Sequence, residues 1–309
     1  MKSVRYDRHG TSDVLAYEET ARPVPGAGQV LVKVAGTSFN PVDAAIRAGY
    51  LRQVFPLAFP HVPGIDVAGT IAELGDGVAG WNVGDAVVAF LPMNESGAAA
   101  EFALAPAELL AAAPKSVELA DAAALPAVGL TAQQALFEYA DLKRGQTVLV
   151  NGATGAVGGY AVQLAHQAGA HVTATANARR ADRVRGYGAD RIIDYTAAPV
   201  TEAADEQFDV VLNLVTTTPE ETARLVGLVR DGGVLVSTTT AAPEDSARGV
   251  RTASVFARSD AAQLAELVAR VDAGTLSIHV AERVGLAELP TVHARSDAGK
   301  LTGKTVVTV

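Results

Sequence analysis

The chain has 309 residues, 49% of them hydrophobic and 19% charged, with a net charge of −9 and a pI of about 5.2. That size and composition suit a globular protein of about two domains, and the acidic balance argues against nucleic acid or anionic membrane as a main partner. No cysteine is present, which excludes disulfides, thiolate catalysis and every cysteine-containing zinc site. The opening stretch MKSVRYDRHG has no apolar signal core. No run reaches the roughly 18 apolar residues of a membrane span, so a cytoplasmic location is expected.

The first 115 residues hold short alternating runs separated by turns. Val30–Val34, Val67–Ile71, Ala86–Phe90 and Glu101–Leu104 are predicted strands. Gly75-Asp76-Gly77 and Val83-Gly84-Asp85 supply turns between them. Pro41–Gly49 is a predicted short helix, with Asn40 as its cap and Pro41 at the first position. The pattern is that of an antiparallel, barrel-like β domain.

From about Val117 the pattern changes. Ala120–Tyr139 is alanine-rich and expected to be helical, interrupted at Pro126 and Gly129. Strands are then predicted at Val148–Val150, Val172–Thr175, Arg191–Tyr195, Phe208–Val215, Gly233–Thr238 and Arg251–Ala257. Helices are predicted at Tyr160–Ala168, Ala181–Tyr187, Pro219–Val229 and Asp260–Ala273. Such alternation means a doubly wound parallel sheet, an α/β fold. Lys304–Val309 is a last strand, expected to return to the first domain. Residues 1–115 with 275–309 are assigned to the β domain and 116–274 to the α/β domain.

The most informative stretch is Val148–Gly159, VLVNGATGAVGG. An apolar strand runs into Gly152, Gly155 and Gly158, and a helix follows. Strand, glycine turn and helix make a dinucleotide-phosphate cradle: glycines let the backbone approach a pyrophosphate, and free N–H groups at the helix start bind its charge. A site preferring NAD ends the next strand with Asp or Glu, about 20 residues on, to bond the ribose 2′-hydroxyl. Ala176 stands there instead, followed by Asn177, Arg179 and Arg180. Two guanidinium groups suit a 2′-phosphate, which points to NADPH. The other reading of the pair is an ordinary solvated basic helix start.

Further segments carry a resemblance. Ser38-Phe39-Asn40-Pro41-Val42-Asp43, then Ile46-Arg47-Ala48-Gly49, then Phe59 through Gly69 (FPHVPGIDVAG) occur in order. Gly84-Asp85-Ala86-Val87, Ala100-Glu101-Phe102, Gly129-Leu130-Thr131-Ala132 and Gly299 through Val306 follow. Along nearly its whole length the sequence resembles the medium-chain dehydrogenase/reductase superfamily, in its zinc-free quinone oxidoreductase (zeta-crystallin-like) branch. The resemblance implies a GroES-like β-barrel domain, a Rossmann domain and an active cleft between them. It also implies NADPH-dependent reduction of quinones or activated alkenes such as enones, without metal. Zinc-dependent relatives carry Cys where Asn40 stands and His-Glu where Ile65-Asp66 stands. Of the six histidines only His61 lies near the expected cleft, with no second one at ligand spacing.

The resemblance places Asn40 and Tyr50 in catalysis. It places Asn40, Thr131, Gly152, Thr154, Gly155, Ala156, Val157, Gly158, Asn177, Arg179, Arg180, Leu214, Phe256 and Lys304 around the cofactor. It also implies a homodimer joined through the Arg251–Ala257 edge strand. One departure concerns the substrate: some quinone-reducing relatives place a tyrosine where Ala45 stands. Tyr50 either takes that role or packs at the cleft rim.

Tyr139 and Lys143 spell the Y-x-x-x-K pair of short-chain dehydrogenases. Here the pair precedes the glycines rather than following them, so it is read as an exposed lysine after a buried tyrosine. Two rivals to the enzyme reading remain: a reductase or dehydrogenase for another carbonyl substrate, and an NADPH-binding redox sensor or structural protein without turnover.

Overall fold

The computed structural model describes residues 1–309, which divide into two compact units: Met1–Ala127 with Ser259–Val309, and Val128–Arg258. The first unit is discontinuous. Its main sheet has seven strands, six of them in the order Glu282–Gly285, Thr305–Thr308, Gln29–Ser38, Asp66–Leu74, Ala86–Phe90, Ala111–Ala112; Phe102–Pro106 also pairs with Gln29–Ser38. Every pairing is antiparallel except that of Glu282–Gly285 with Thr305–Thr308. Alternation along Gln29–Ser38 sends Val30, Val32 and Val34 inward, where they meet Val67, Ile71, Val87, Ala89 and Leu110. The C-terminal strand returns to this sheet, pairing Val306 with Ser38.

The second unit is a six-stranded, fully parallel sheet. Its order is Arg191–Ile193, His171–Thr175, Thr147–Asn151, Phe208–Asn213, Val229–Ser237, Arg251–Ser254. Parallel strands covered on both faces are apolar throughout, and Val148, Leu149 and Val150 are all fully buried. The fold class is therefore as expected, a GroES-like β domain and a doubly wound α/β domain.

Several boundaries differ. The helix after the glycines begins at Ala156, not Tyr160, because Gly155 supplies the extended backbone of an N-cap. The next helix is Ala178–Gly186, so Arg179 and Arg180 belong to its first turn. Pro126 starts the helix Pro126–Gln134, and Gly129 does not interrupt it. The expected strand Arg251–Ala257 is the shorter Arg251–Ser254. Residues 116–127 and 259–274 lie in the first unit rather than the second. Local bonds hold them there: Asp272 accepts from the Lys115 and Ser116 amides at 2.8 and 2.9 Å, and Ser259 Oγ donates to the Phe90 carbonyl at 2.6 Å.

Candidate functional site

In the second unit four of the parallel strands end in a buried polar residue: Asn151, Thr175, Asn213 and Ser237. Apolar runs that finish this way leave hydrogen-bonding groups at the carboxyl edge of the sheet, where open α/β sheets take their ligands. Asn151 Nδ2 donates to Asn213 Oδ1 at 2.9 Å, and Thr175 Oγ1 to Asn151 Oδ1 at 3.3 Å. The Gly152 amide in turn donates to Thr175 Oγ1 at 2.8 Å, which fixes the start of the glycine turn. These polar strand ends were not singled out from the sequence, although the switch from apolar to polar at each strand end was there to see.

The glycine turn is tight. A Cβ on Gly158 would lie 2.2 Å from the Gly152 carbonyl oxygen and 2.6 Å from Ala153 Cα, so only glycine lets the helix approach the strand this closely. Gly155 caps the helix, and the Gly159 amide bonds back to the Gly155 carbonyl at 3.1 Å. The amides of Ala156, Val157 and Gly158 therefore have no partner within the helix, and with its dipole they favour an anion. Leu214 follows the Phe208–Asn213 strand, its amide on the Asn151 carbonyl at 2.9 Å. Thr154 offers its carbonyl to Arg183 at 3.3 Å. Thr131 lies in Pro126–Gln134, and Phe256 is 56% exposed beside Tyr139. The Tyr139 hydroxyl is spent on the Phe256 backbone, accepting from its amide at 3.2 Å and donating to its carbonyl at 3.3 Å. Lys143 pairs with Asp141. Tyr139 and Lys143 are thus anchored apart, and Tyr139 is half-buried rather than buried.

Asn177 holds the N-cap position of the Ala178–Gly186 helix without a side-chain bond to it, and the helix's first turn contains Arg179 and Arg180 and no acid. Cations at the positive end of a helix are unfavourable, by about 0.3–1 kcal/mol each at an exposed site. Arg185 pairs with Asp182, but neither Arg179 nor Arg180 has a carboxylate partner. Asn177 Oδ1 is buried without a partner. Two unpaired guanidinium groups and an orphaned acceptor beside the glycine-turn strand fit the ribose end of a phosphorylated dinucleotide.

In the first unit Asn40 holds the N-cap position of Pro41–Ala48, but its side chain does not cap the helix. Asp43 closes that end instead, accepting from the Asn40 amide at 2.9 Å and the Gly64 amide at 3.2 Å. The Asn40 side chain turns to two buried charges. Its Nδ2 donates to Asp66 Oδ2 at 2.8 Å, and its Oδ1 accepts from Lys304 Nζ at 2.6 Å. Lysine can only donate and a carboxylate only accept, so the amide has one permitted orientation. Lys304 Nζ also lies 3.2 Å from Asp66 Oδ2 and 3.4 Å from the Phe39 carbonyl. Ser38 Oγ donates to Asp66 Oδ2, and the Ala127 amide to Asp66 Oδ1 at 2.7 Å. Asp66 is 0% exposed and Lys304 3%. Burial pushes the Asp43 carboxyl up to about 6; its two backbone donors and Lys304 oppose that shift, and the Asp66 charge adds to it.

The sequence thus named Asn40 and Lys304, which meet, but not Asp66 and Asp43, which hold them. A charged residue opening the buried strand Asp66–Leu74 was the available signal, since such a residue needs a buried partner. Tyr50 stands apart: it is 83% exposed in the turn after the helix and takes no part in this network. His61 is buried, with its backbone paired to Tyr6 and its ring edge-on to the Tyr6 ring at 5.3 Å. Burial pushes its pKa down to about 4, with His9 adding to the shift. No three His, Asp or Glu side chains are grouped to hold a metal, and the longest apolar helices are too short or too polar to cross a membrane.

Comparison with known proteins gives consistent matches. Residues 26–115 match the alcohol dehydrogenase GroES-like domain, and residues 187–307 the zinc-binding dehydrogenase family. The chain is 40% identical over 222 residues to a chloroplastic quinone-oxidoreductase homolog of Spinacia oleracea, covering 69% of this chain and 68% of that protein. It is 32% identical over 323 residues to a chloroplastic quinone oxidoreductase of Triphysaria versicolor, covering 99% and 98%. An NADPH-dependent alkenal/one oxidoreductase of Arabidopsis thaliana is 34% identical over 264 residues, covering 82% and 66%. The solved quinone oxidoreductase from Coxiella burnetii superposes with a TM-score of 0.89 at 28% identity, over 100% of this chain and 99% of that one.

Proposed function

Because the chain belongs to the quinone oxidoreductase branch of the medium-chain dehydrogenase/reductase superfamily, and is accordingly an NAD(P)H-type oxidoreductase, we propose that it uses NADPH to reduce quinones or enones without a metal. The observation that carries the reading is the presence of two sites, one in each unit: a phosphate cradle followed by unpaired Arg179 and Arg180, and a buried Asn40–Lys304–Asp66 cluster. Gly152, Thr154, Gly155, Ala156, Val157 and Gly158 would hold the pyrophosphate, Asn177, Arg179 and Arg180 the adenosine end, and Thr131, Leu214, Phe256, Asn40 and Lys304 the nicotinamide half. The bound cofactor supplies a hydride.

What the protein itself supplies is electrostatic. Hydride arrival leaves negative charge on an acceptor oxygen, which fixed donors must stabilise. Asn40 Nδ2 has its second hydrogen directed only at the Ser38 carbonyl, 3.5 Å away and so long for a hydrogen bond. That hydrogen is the one the cluster can offer. Lys304 adds positive potential beside it. Tyr50, being exposed, is proposed to contact substrate at the surface of the first unit rather than to act in the buried cluster. The donor set does not suit zinc: an ammonium already lies 2.6 Å from Asn40 and 3.2 Å from Asp66, and a dication there would face a positive charge at close range.

The test is loss of reduced-nicotinamide absorbance with quinones, enones and saturated aldehydes in parallel. Quinone or enone turnover with NADPH is expected; tight NADPH binding with no turnover of any acceptor would favour a sensor instead. Replacing both Arg179 and Arg180 with alanine is expected to weaken NADPH by at least about tenfold, since a charged hydrogen bond is worth roughly 1.5–3 kcal/mol. NADH should change little, and a native preference for NADH would overturn the assignment.

Arg251–Ser254 is the last strand of its sheet, pairing only with Val229–Ser237. An open edge of this kind pairs with a copy of itself unless guarded, and a homodimer through it is proposed. Light scattering should give twice the chain mass at micromolar concentration; a monomer would rule it out. The proposed location is the cytoplasm.

A further inference from the structure

We infer that the Phe39 carbonyl, Asn40 Oδ1 and Asp66 Oδ2 form a built site for a small monovalent ammonium ion, filled in the native chain by the side chain of Lys304. The inference rests on the first unit alone and is independent of any cofactor. The three oxygens lie 3.4, 2.6 and 3.2 Å from Nζ, one for each ammonium hydrogen. None of the three is a donor. Asn40 is locked with its oxygen toward the cation because Asp66 accepts a hydrogen from its amide nitrogen. Asp66 is the positioning residue: one carboxylate accepts from Ser38, Asn40 and Ala127 as well as from Lys304. Asp43 adds a second buried carboxyl close enough to feel both Asp66 and Lys304.

Delivery of the ammonium is equally specific. Gly303 has φ +78°, and a Cβ there would lie 2.6 Å from Ala281 Cβ. The Lys304 carbonyl then accepts from the Ala281 amide at 2.9 Å. The backbone at 304 is therefore held independently of its side chain. Cutting the side chain back to Cβ leaves the three oxygens in place and opens the space of a propylammonium chain beside them. A buried pair that loses one partner leaves the other charge uncompensated, which is strongly destabilising, whereas losing both partners costs less.

The experiment measures thermal midpoints of the native protein, Lys304→Ala and Asp66→Asn/Lys304→Ala in roughly 0.1 M ammonium, methylammonium or choline chloride. Lys304→Ala is expected to melt about 10 °C below the native protein in choline chloride. Ammonium or methylammonium should return at least about 3 °C of that, by binding the folded state alone. The native protein and the double variant should show no difference between the salts. Equal midpoints for Lys304→Ala in ammonium and choline, or the same gain in the double variant, would overturn the site. Should Lys304→Ala fail to fold, reductive methylation of the native protein and of Asp66→Asn decides the matter. Lys304 should resist the reagent while exposed Lys300 reacts, and Asp66→Asn should release it. Native Lys304 reacting as fast as Lys300 would also overturn the site.

Discussion

Alanine at position 40 is expected to lower turnover with quinone or enone acceptors about 10²–10³-fold while NADPH affinity stays within a few fold, the loss typical of removing one oxyanion donor. The expectation follows from what the amide does in the cluster. It bonds to both members of a buried ion pair, accepting from the ammonium and donating to the carboxylate. Its remaining hydrogen has only a distant carbonyl, so an acceptor oxygen would find a donor already oriented. Asn40→Asp keeps the size and an acceptor for Lys304, but turns an oxygen toward Asp66 and places a further carboxylate near Asp43. It should lose at least as much activity and some stability as well. Steady-state kinetics with separate kcat and KM, beside NADPH titration, checks both variants. If Asn40→Ala kept turnover within about threefold, the donor would have to be another group.

The second large expectation concerns acid. His61 and His293 are held neutral by burial, at about 4 and about 3 against an ordinary 6.5, with Arg47 adding to the shift at His293 and Asp297 opposing it. The unfolded chain therefore takes up two protons near pH 6.5 that the folded chain refuses, and stability falls as pH drops below that value. Asp43 works the other way: the folded chain takes its proton at about 6, the unfolded chain only at 3.8. Between pH 6 and 4 the unfolded state thus binds two extra protons and the folded state one. The net slope there is about 1.4 kcal/mol per pH unit, and it stays near that value up to about pH 6.5. From pH 7 to pH 5 the first unit should lose about 2.4 kcal/mol, and His61→Phe should recover about 1.8 of it. Trp81, the single tryptophan, lies in the first unit with all three groups. Its fluorescence in urea at the two pH values makes the measurement, and equal midpoints at pH 7 and 5 would refute it.

How legible this was from the chain depends on the kind of signal. Val148–Val150 and the glycines after it announced strand, turn and helix because each step has a local cause: apolar continuity, backbone freedom, free amides. The alternation in Val30–Val34 likewise needs no tertiary knowledge. The two-unit boundary was less legible. Asp260–Ala273 looks like one more helix of the alternating series, and contacts with residues far away in sequence, such as those of Asp272 with Lys115 and Ser116, assign it to the other unit. Asn40 shows the same limit at the scale of one side chain. Proline after asparagine is a sound capping signal, yet the amide serves Asp66 and Lys304, both distant in sequence, while Asp43 does the capping. Asp66 itself was visible only as part of a motif. Its role depends on a strand and a lysine brought together by folding, and no local pattern reports that.

The discontinuity of the first unit bears on how the protein is made. Its central strand Gln29–Ser38 lies between Asp66–Leu74 and Thr305–Thr308, so one neighbour is synthesised early and the other more than 230 residues later. Residues 128–258 can emerge from the ribosome and fold as a self-contained inserted unit. Until the 51 residues Ser259–Val309 follow, roughly 3–10 s later at ordinary elongation rates, the first unit keeps an open sheet edge at Gly36–Ser38. During that interval Asp66 and Asn40 have no ammonium to face. The nascent chain carries a carboxylate that stays hydrated, and that part of the unit cannot close. The inserted unit shortens the wait in another sense, because once folded it holds its two ends as a compact body in place of a loose loop of the same length, so less chain entropy opposes the last strand. The arriving Lys304 thus completes the sheet and neutralises its centre in a single late step, and a nascent chain stalled before it presents both an unpaired strand and an uncompensated charge to the cell's quality control.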